Sequence, residues 1–162
     1  MRIRRARPEE YDAVGEVTVA AYEEFLLGPQ DEYRHRLRDA AGRDRGAELW
    51  VAASDDDTRL LGTVTLCPAG SAWREIAGED EGEFRMLAVS PGARGQGVGE
   101  SLVRLVVDRF TADGARAVVL SSLADMAAAH RIYGRLGFTR LPERDWRPLP
   151  DVELIAFGKE LR

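Results

Sequence analysis

The segment Arg94-Gly95-Gln96-Gly97-Val98-Gly99 sets three glycines at alternate positions directly after an arginine. A strand-like run precedes it and a helical pattern follows, so the glycines fall where a helix begins. The first turn of a helix carries backbone N–H groups without intrahelical partners and a partial positive charge, and the two together bind phosphate. Glycines let a diphosphate approach that backbone, and Arg94 can add a charge-assisted contact. Two other uses of a glycine loop fit poorly. A dinucleotide-binding G-x-G-x-x-G belongs near the start of a first βαβ unit; here its sixth position is Glu100, and the loop lies past mid-chain after an antiparallel hairpin. A methyltransferase loop is expected early, behind an acidic residue, where this chain has Ser90-Pro91.

The elements around the loop follow from periodicity. Residues 2–7 predict a strand, and Pro8-Glu9-Glu10 suit the start of a helix. Tyr11, Val14, Thr18, Ala21, Tyr22 and Phe25 line one face of that helix, and Gly28-Pro29 stops it. A second, more polar helix is expected over Glu32–Ala41. Leu49–Ser54 and Leu60–Leu66 flank Asp55-Asp56-Asp57-Thr58 as a hairpin. A looser segment, Pro68–Gly82, leads into a strand at Glu83–Val89. Val98, Leu102, Leu105, Val106 and Phe110 form the buried stripe of the helix after the loop. Ala117–Ser122 has the Val/Leu content of a central strand. A helix over about 125–136 ends at Gly137. Strands near Phe138–Leu141 and Glu153–Lys159 flank a proline-rich loop. The order β-α-α-β-β-β-α-β-α-β-β implies one α/β domain over residues 1–162, with a mixed antiparallel and parallel sheet flanked by helices.

Two motifs then coincide. Arg94 to Gly99 matches Q/R-x-x-G-x-G/A without a gap, and Ala129-His130-Arg131-Ile132-Tyr133-Gly134-Arg135-Leu136-Gly137-Phe138 matches A-x-x-x-Y-x-x-x-G-F. In this order and separation they resemble the GNAT superfamily of acetyl-CoA-dependent N-acetyltransferases. The resemblance implies that the backbone of Leu87, Ala88 and Val89 pairs with the pantetheine amides of acetyl-CoA at a splay between neighbouring parallel strands. It implies that the N–H groups of Gly95, Gln96, Gly97, Val98, Gly99 and Glu100 meet the pyrophosphate. One position departs: relatives frequently carry asparagine seven residues before the tyrosine, where this chain has Met126, and a thioether replaces neither the donor nor the acceptor of an amide.

Aminolysis of a thioester needs a neutral amine and help for the departing thiolate. A lysine-type amine is neutral in only about one molecule in two thousand near pH 7, and an α-amine in roughly one in ten. Glu83 opens the strand that leads to Leu87 and, at period two, is expected on the same face. A glutamate there serves many relatives as general base through water. The resemblance assigns Tyr133 the family's proton-donor role. Phenol, however, is a weaker acid than a thiol, so full transfer at reference values is uphill by roughly 2 kcal/mol, and a hydrogen bond to developing thiolate suits it better. His130 is read as surface packing.

With 162 residues and a net charge of −5, the chain can bury a core and presents no concentrated basic face for nucleic acid. Its single cysteine, Cys67, excludes an intramolecular disulfide and argues against a structural zinc site, so no metal is expected. No apolar run suits a signal peptide or membrane span, which makes the cytoplasm the default compartment. Expected partners are acetyl-CoA and a small-molecule or peptide amine, with a homodimer left open. Glu75, Glu79, Asp80 and Glu81 could form an acidic rim that attracts a cation. Trp73, Trp146, Trp50, Tyr22 and Phe25 are candidate pocket walls. The alternative function is a module that binds acetyl-CoA without catalysis.

Overall fold

A computed structural model describes residues 1–28 and 30–162, so Pro29 of the expected Gly28-Pro29 stop lies outside the described residues. In chain order the elements are β1 (Arg2–Arg5), α1 (Tyr11–Tyr22), α2 (Tyr33–Arg38), α3 (Ala40–Gly46), β2 (Glu48–Ala53), β3 (Leu60–Cys67), β4 (Glu81–Val89), α4 (Val98–Ala112), β5 (Ala117–Leu123), α5 (Ala127–Arg135), β6 (Thr139–Arg140), β7 (Trp146–Leu149) and β8 (Val152–Glu160). The sheet runs β1-β2-β3-β4-β5-β8-β6, with β7 also on β8. β4 and β5 are parallel, joined by the α4 crossover, and the other pairs are antiparallel. This is the mixed α/β sheet that the sequence implies.

The first helix is shorter than expected, since α1 ends at Tyr22 and a 3-10 turn follows over Glu23–Phe25, ahead of the expected stop; two further elements also differ. The polar helix expected over Glu32–Ala41 is two helices, α2 and α3, because Asp39 leaves the helical region (φ −80°, ψ 62°) and accepts a hydrogen bond from the Gly42 amide at 2.9 Å. An aspartate side chain that bonds nearby backbone ends one helix and caps the next. The proline-rich loop before the last strand contains β7, which pairs with β8 at Trp146↔Leu154 and Leu149↔Val152. Pro148 is compatible with a strand there because β7 bonds on one side only.

Each sheet face packs its own helices. Phe84, Leu87, Leu102, Val106, Phe110, Leu120, Tyr133 and Phe138 share the core under α4 and α5. Val19, Tyr22, Leu37, Met86 and Ala88 share a second cluster under α1 and α2. Cys67 is buried in β3, and burial pushes its thiol up to about 12.

The decisive feature is where β4 and β5 part. They pair at Glu81↔Ala117, Gly82↔Val118 and Glu83↔Val119 and no further, although β4 runs on to Val89 and β5 to Leu123. β3 continues to hold β4, and β8 holds β5 along its whole length. Opposite Val64, β4 carries an extra residue: Thr65 pairs with Arg85 but Thr63 with Ala88. Met86 takes up this bulge with φ +54°, a conformation rare outside glycine. Phe84 and Leu87, three apart, therefore pack on the same face.

At the paired base of the fork, Gly82 lies under the Phe110 ring, and a Cβ on Gly82 would come within 2.4 Å of it. Gly82→Ala is expected to lose about 1–3 kcal/mol by overpacking. The loss should be smaller when Phe110→Leu opens the space. Urea unfolding of the two single variants and the double variant measures both numbers, and equal losses in both backgrounds would place the cost elsewhere.

Candidate active site

Gly97 is the N-cap of α4, with φ +79°, and Gly95 has φ +78°. Both conformations suit glycine, and a Cβ at either would meet nothing within 4 Å, so both backbones face open space. The first intrahelical bond recorded at this end runs from the Ser101 amide to the Gly97 carbonyl at 3.0 Å. That leaves the N–H groups of Val98, Gly99 and Glu100 as the orphan donors of the first turn. Gly99 has a different duty: its Cβ would approach the Ile132 side chain to 2.9 Å, so this glycine lets α4 close on α5.

A groove of about 300 Å³ runs beside the loop, lined by Leu87, Ala88, Val89, Arg94, Gly95, Gly97, Val98, Gly99, Glu100 and Met126 among others. The sequence-expected cofactor residues thus come together, except that Gln96 is exposed and does not line the groove. Arg94 lies 3.7 Å from Glu24, which borders the same groove. The Glu100 carboxylate is drawn off to Arg135 at 3.1 Å and Arg104 at 3.8 Å.

Past Leu87 and Phe25, which belong to both, the groove adjoins a cavity of about 600 Å³ between the α1–α2 segment, the open fork and the β7–β8 hairpin. Tyr133 lines it, buried, and no charged group or hydrogen-bond partner acts on its hydroxyl among the described residues. Burial alone raises the phenol well above its ordinary value. Tyr22 and Phe25 line the cavity as expected, whereas Trp50, Trp73 and Trp146 stand outside its wall. Trp146 instead donates to the Ser121 hydroxyl at 3.1 Å.

Glu83 is not where period two puts it. The bulge at Met86 reverses the alternation, so Leu87 shares a face with Phe84 and opposes Glu83. The side chain is fully buried and absent from both cavity walls. Its Oε1 accepts three backbone hydrogen bonds, from Glu75 at 2.9 Å and from Ile76 and Ala77 at 3.0 Å each. Its Oε2 is sealed and has no partner among the described residues.

The expected acidic rim is largely neutralised. Arg144 grips Glu81 at 2.7 and 3.0 Å, and Arg116 bonds Glu81 at 2.8 Å and Asp80 at 2.9 Å. The Arg144 hydrogen bonds above all, with the Gly78 amide and the nearby charges of Arg144 and Arg116, hold the Glu81 carboxyl below its usual range against the opposing effect of burial. Glu75 is the member that reaches the cavity. His130, expected as surface packing, is partly buried, with Nε2 3.0 Å from the Ser122 hydroxyl and its ring on Phe157. Ser122 faces α5 from the cavity wall, a contact between a strand and a helix that no spacing in the sequence marks.

A forked parallel pair beside a glycine-started helix defines a class of α/β fold whose open strand edge is available to a ligand. Residues 12–138 match the acetyltransferase (GNAT) family, and the chain belongs to that family. The mycothiol acetyltransferase of Cellulomonas flavigena is 32% identical over 112 residues, covering 65% of this chain and 32% of that protein. The chain thus spans about a third of the length of the mycothiol acetyltransferases it matches. Among solved structures, a GNAT-family acetyltransferase from Staphylococcus aureus Mu50 superposes with a TM-score of 0.76 at 14% identity, covering 99% of both chains. A Salmonella typhimurium protein solved with its cofactor acetyl-CoA superposes at 0.71 and 21% identity, covering 99% of this chain and 94% of that one. At these identities the two structures speak for the fold.

The three amides on Glu83 make a prediction about stability. Glu83→Ala should cost about 1–3 kcal/mol, because it takes the acceptor from three part-buried amide donors that water can reach only in part. Glu83→Gln keeps an acceptor at Oε1 and should cost less. Denaturant unfolding of both variants checks the order, and an Ala variant as stable as the Gln variant would deny Glu83 this holding role.

Proposed function

We propose that the chain is an N-acetyltransferase that uses acetyl-CoA as co-substrate and a primary amine as acceptor, with residues 1–162 as one catalytic unit. The observation that carries this reading is that Leu87, at the fork, stands in the wall of both the loop groove and the Tyr133 cavity. The groove suits the cofactor on three counts. Gly95 and Gly97 leave the space a pyrophosphate needs. Val98, Gly99 and Glu100 supply first-turn N–H donors at the positive end of α4, and Arg94 adds charge. The backbone of Leu87 to Val89 belongs to the strand that has lost its β5 partner and can bond the pantetheine amides.

When bound, acetyl-CoA supplies an acetyl group on a thioester. The chain's own residues do the rest. The fork orients the arm, and the apolar walls at Phe84 and Leu120 keep water from the reacting carbonyl. Tyr133 donates a hydrogen bond to the sulfur as charge develops there; its raised pKa fits a donor that keeps its proton throughout. Glu83, the base expected from sequence, has one oxygen committed to three amides and the other sealed. We assign it to holding the turn at residues 75–77, which puts Glu75 in the cavity wall.

Two measurements test the reading. Gly97→Glu should abolish acetyl-CoA binding in calorimetry, since it adds a side chain at φ +79° and a negative charge where the diphosphate sits; unchanged affinity would sink the site. Tyr133→Phe keeps the packing and should lower kcat by about tenfold to a thousandfold with little change in acetyl-CoA affinity. Unchanged turnover under conditions where chemistry limits the rate would leave Tyr133 a packing residue.

A further inference from the structure

Three large hydrophobic side chains are exposed among the described residues, and two of them, Leu27 (66% exposed) and Leu149 (57%), belong to the lining of the 600 Å³ cavity. Phe25 and Leu26 continue the apolar lining on the α1–α2 side, and Pro148 and Leu154 on the β7–β8 side. Exposed apolar area concentrated at one cavity marks a place that an apolar group covers.

The polar end of the cavity is different. Glu75 has its main chain at the surface, but its side chain, 21% exposed, turns into the wall. One oxygen lies 3.2 Å from Nε of Arg85, a residue itself fixed by hydrogen bonds to the Trp73 carbonyl at 3.1 Å and the Tyr33 hydroxyl at 3.2 Å. The contact with Arg85 is an ion pair, and the Glu75 carboxylate lines the cavity with no hydrogen bond on either oxygen among the described residues. The remaining acids of the lining are otherwise occupied or peripheral: Asp31 accepts from the Leu27 and Tyr33 amides, Glu153 pairs with Arg147 at 2.8 Å, and Asp125 and Asp151 are exposed. Burial raises the Glu75 carboxyl above its ordinary value; Arg85 and Arg36 oppose this, and Glu83 adds to it. Tyr33 and Cys67 are the other titratable groups within range.

We propose that the acceptor is a primary alkyl- or aralkylamine, with its ammonium on the Glu75 carboxylate and its apolar substituent between Leu27 and Leu149. This rests on the N-acetyltransferase reading. Glu75 then takes one ammonium proton and passes it to solvent at the cavity mouth. The freed nitrogen bonds the acetyl carbon, the carbon–sulfur bond breaks, and the nitrogen's second proton ends on the sulfur, aided by Tyr133. The products are an N-alkylacetamide, the free thiol and one proton. Glu83 acts here as a positioning residue, through the amide of Glu75 itself.

The test is thiol release with acetyl-CoA and three probes: 2-phenylethylamine, putrescine, and L-phenylalanine, which adds a carboxylate to the first. 2-Phenylethylamine should lead by about tenfold or more in kcat/KM, the scale of a well-matched apolar pocket. Leu149→Ser should raise its KM and leave that of putrescine unchanged. Glu75→Gln should lower its kcat/KM by roughly a hundredfold and remove an acidic limb lying above the ordinary carboxylate range, with acetyl-CoA affinity unchanged. Activity should fall as pH drops through the raised Glu75 pKa, because the base must be ionised. Glu75→Asp, which retains the charge, should recover part of the rate and guards against a folding artefact. Preference for putrescine or phenylalanine, or a wild-type pH profile in Glu75→Gln, overturns this inference while leaving the N-acetyltransferase reading in place. Failure to bind acetyl-CoA at all overturns that reading and this inference with it.

Discussion

Two parallel strands that part after three paired residues expose facing rows of peptide groups inside a protein, and the rest of this structure answers to that fact. Each buried group left without a partner costs roughly 1–3 kcal/mol, so the fork persists only if its outer edges are held and its interior is wet or filled. β3 grips β4 from Cys67↔Glu83 to Gly62↔Val89, and β8 grips β5 over all seven of its residues. The α4 crossover locks the base, where Phe110 covers Gly82, and Gly99 lets α5 come in close enough to seat Tyr133 beside the opening. β4 and α4, which carry the glycine-loop groove, are thus themselves parts of the fork and of its lock.

The bulge at Met86 decides what faces the opening. One extra residue turns Leu87 toward α4 and α5 and leaves Arg85 and Met86 both toward α1 and α2. Arg85 can then reach Glu75, Tyr33 and the Trp73 carbonyl from a single position. The left-handed backbone at Met86 is strain stored at the point of use. Regular pairing would relieve it, but would swing the Leu87 side chain away from the cavity that Tyr133 lines.

Features written as local chemistry were legible in the sequence. The α4 start, with glycines behind a strand and Val98, Leu102, Val106 and Phe110 spaced as one buried face, is where it was expected. The sheet's mixed order and its parallel pair followed from the element order. The break at Asp39 was less visible only because capping competes with a continuous polar helix pattern. The face of Glu83 was beyond reach for a firmer reason. Period two assumes no inserted residue, and a bulge at a methionine carries no glycine to announce it. The Ser122–His130 contact and the cavity placement of Glu75 depend on how a strand, a helix and a loop meet, and spacing along the chain does not encode that meeting.

The run of acids from Glu75 to Glu83 brings these constraints together. As a string of like charges it would be repelled into solvent, yet the structure gives its members separate fates. Glu81, with its side chain 3% exposed, is matched by Arg144 and Arg116, which tie the β3–β4 segment to the β6–β7 segment and the start of β5. Glu83 is matched by backbone dipoles alone, three amides on one oxygen, so its burial depends on the turn it organises, and that turn depends on it. Glu75 is carried by that turn to a placement beside Arg85 in the cavity wall, the only member of the run that lines the cavity among the described residues. Charge pairing and backbone pairing engage Asp80, Glu81 and Glu83, Glu79 is exposed, and an incoming cation in the cavity meets Glu75. A loop whose acids were all exposed would attract cations without placing them; two buried acids at its end are what give the third a fixed direction.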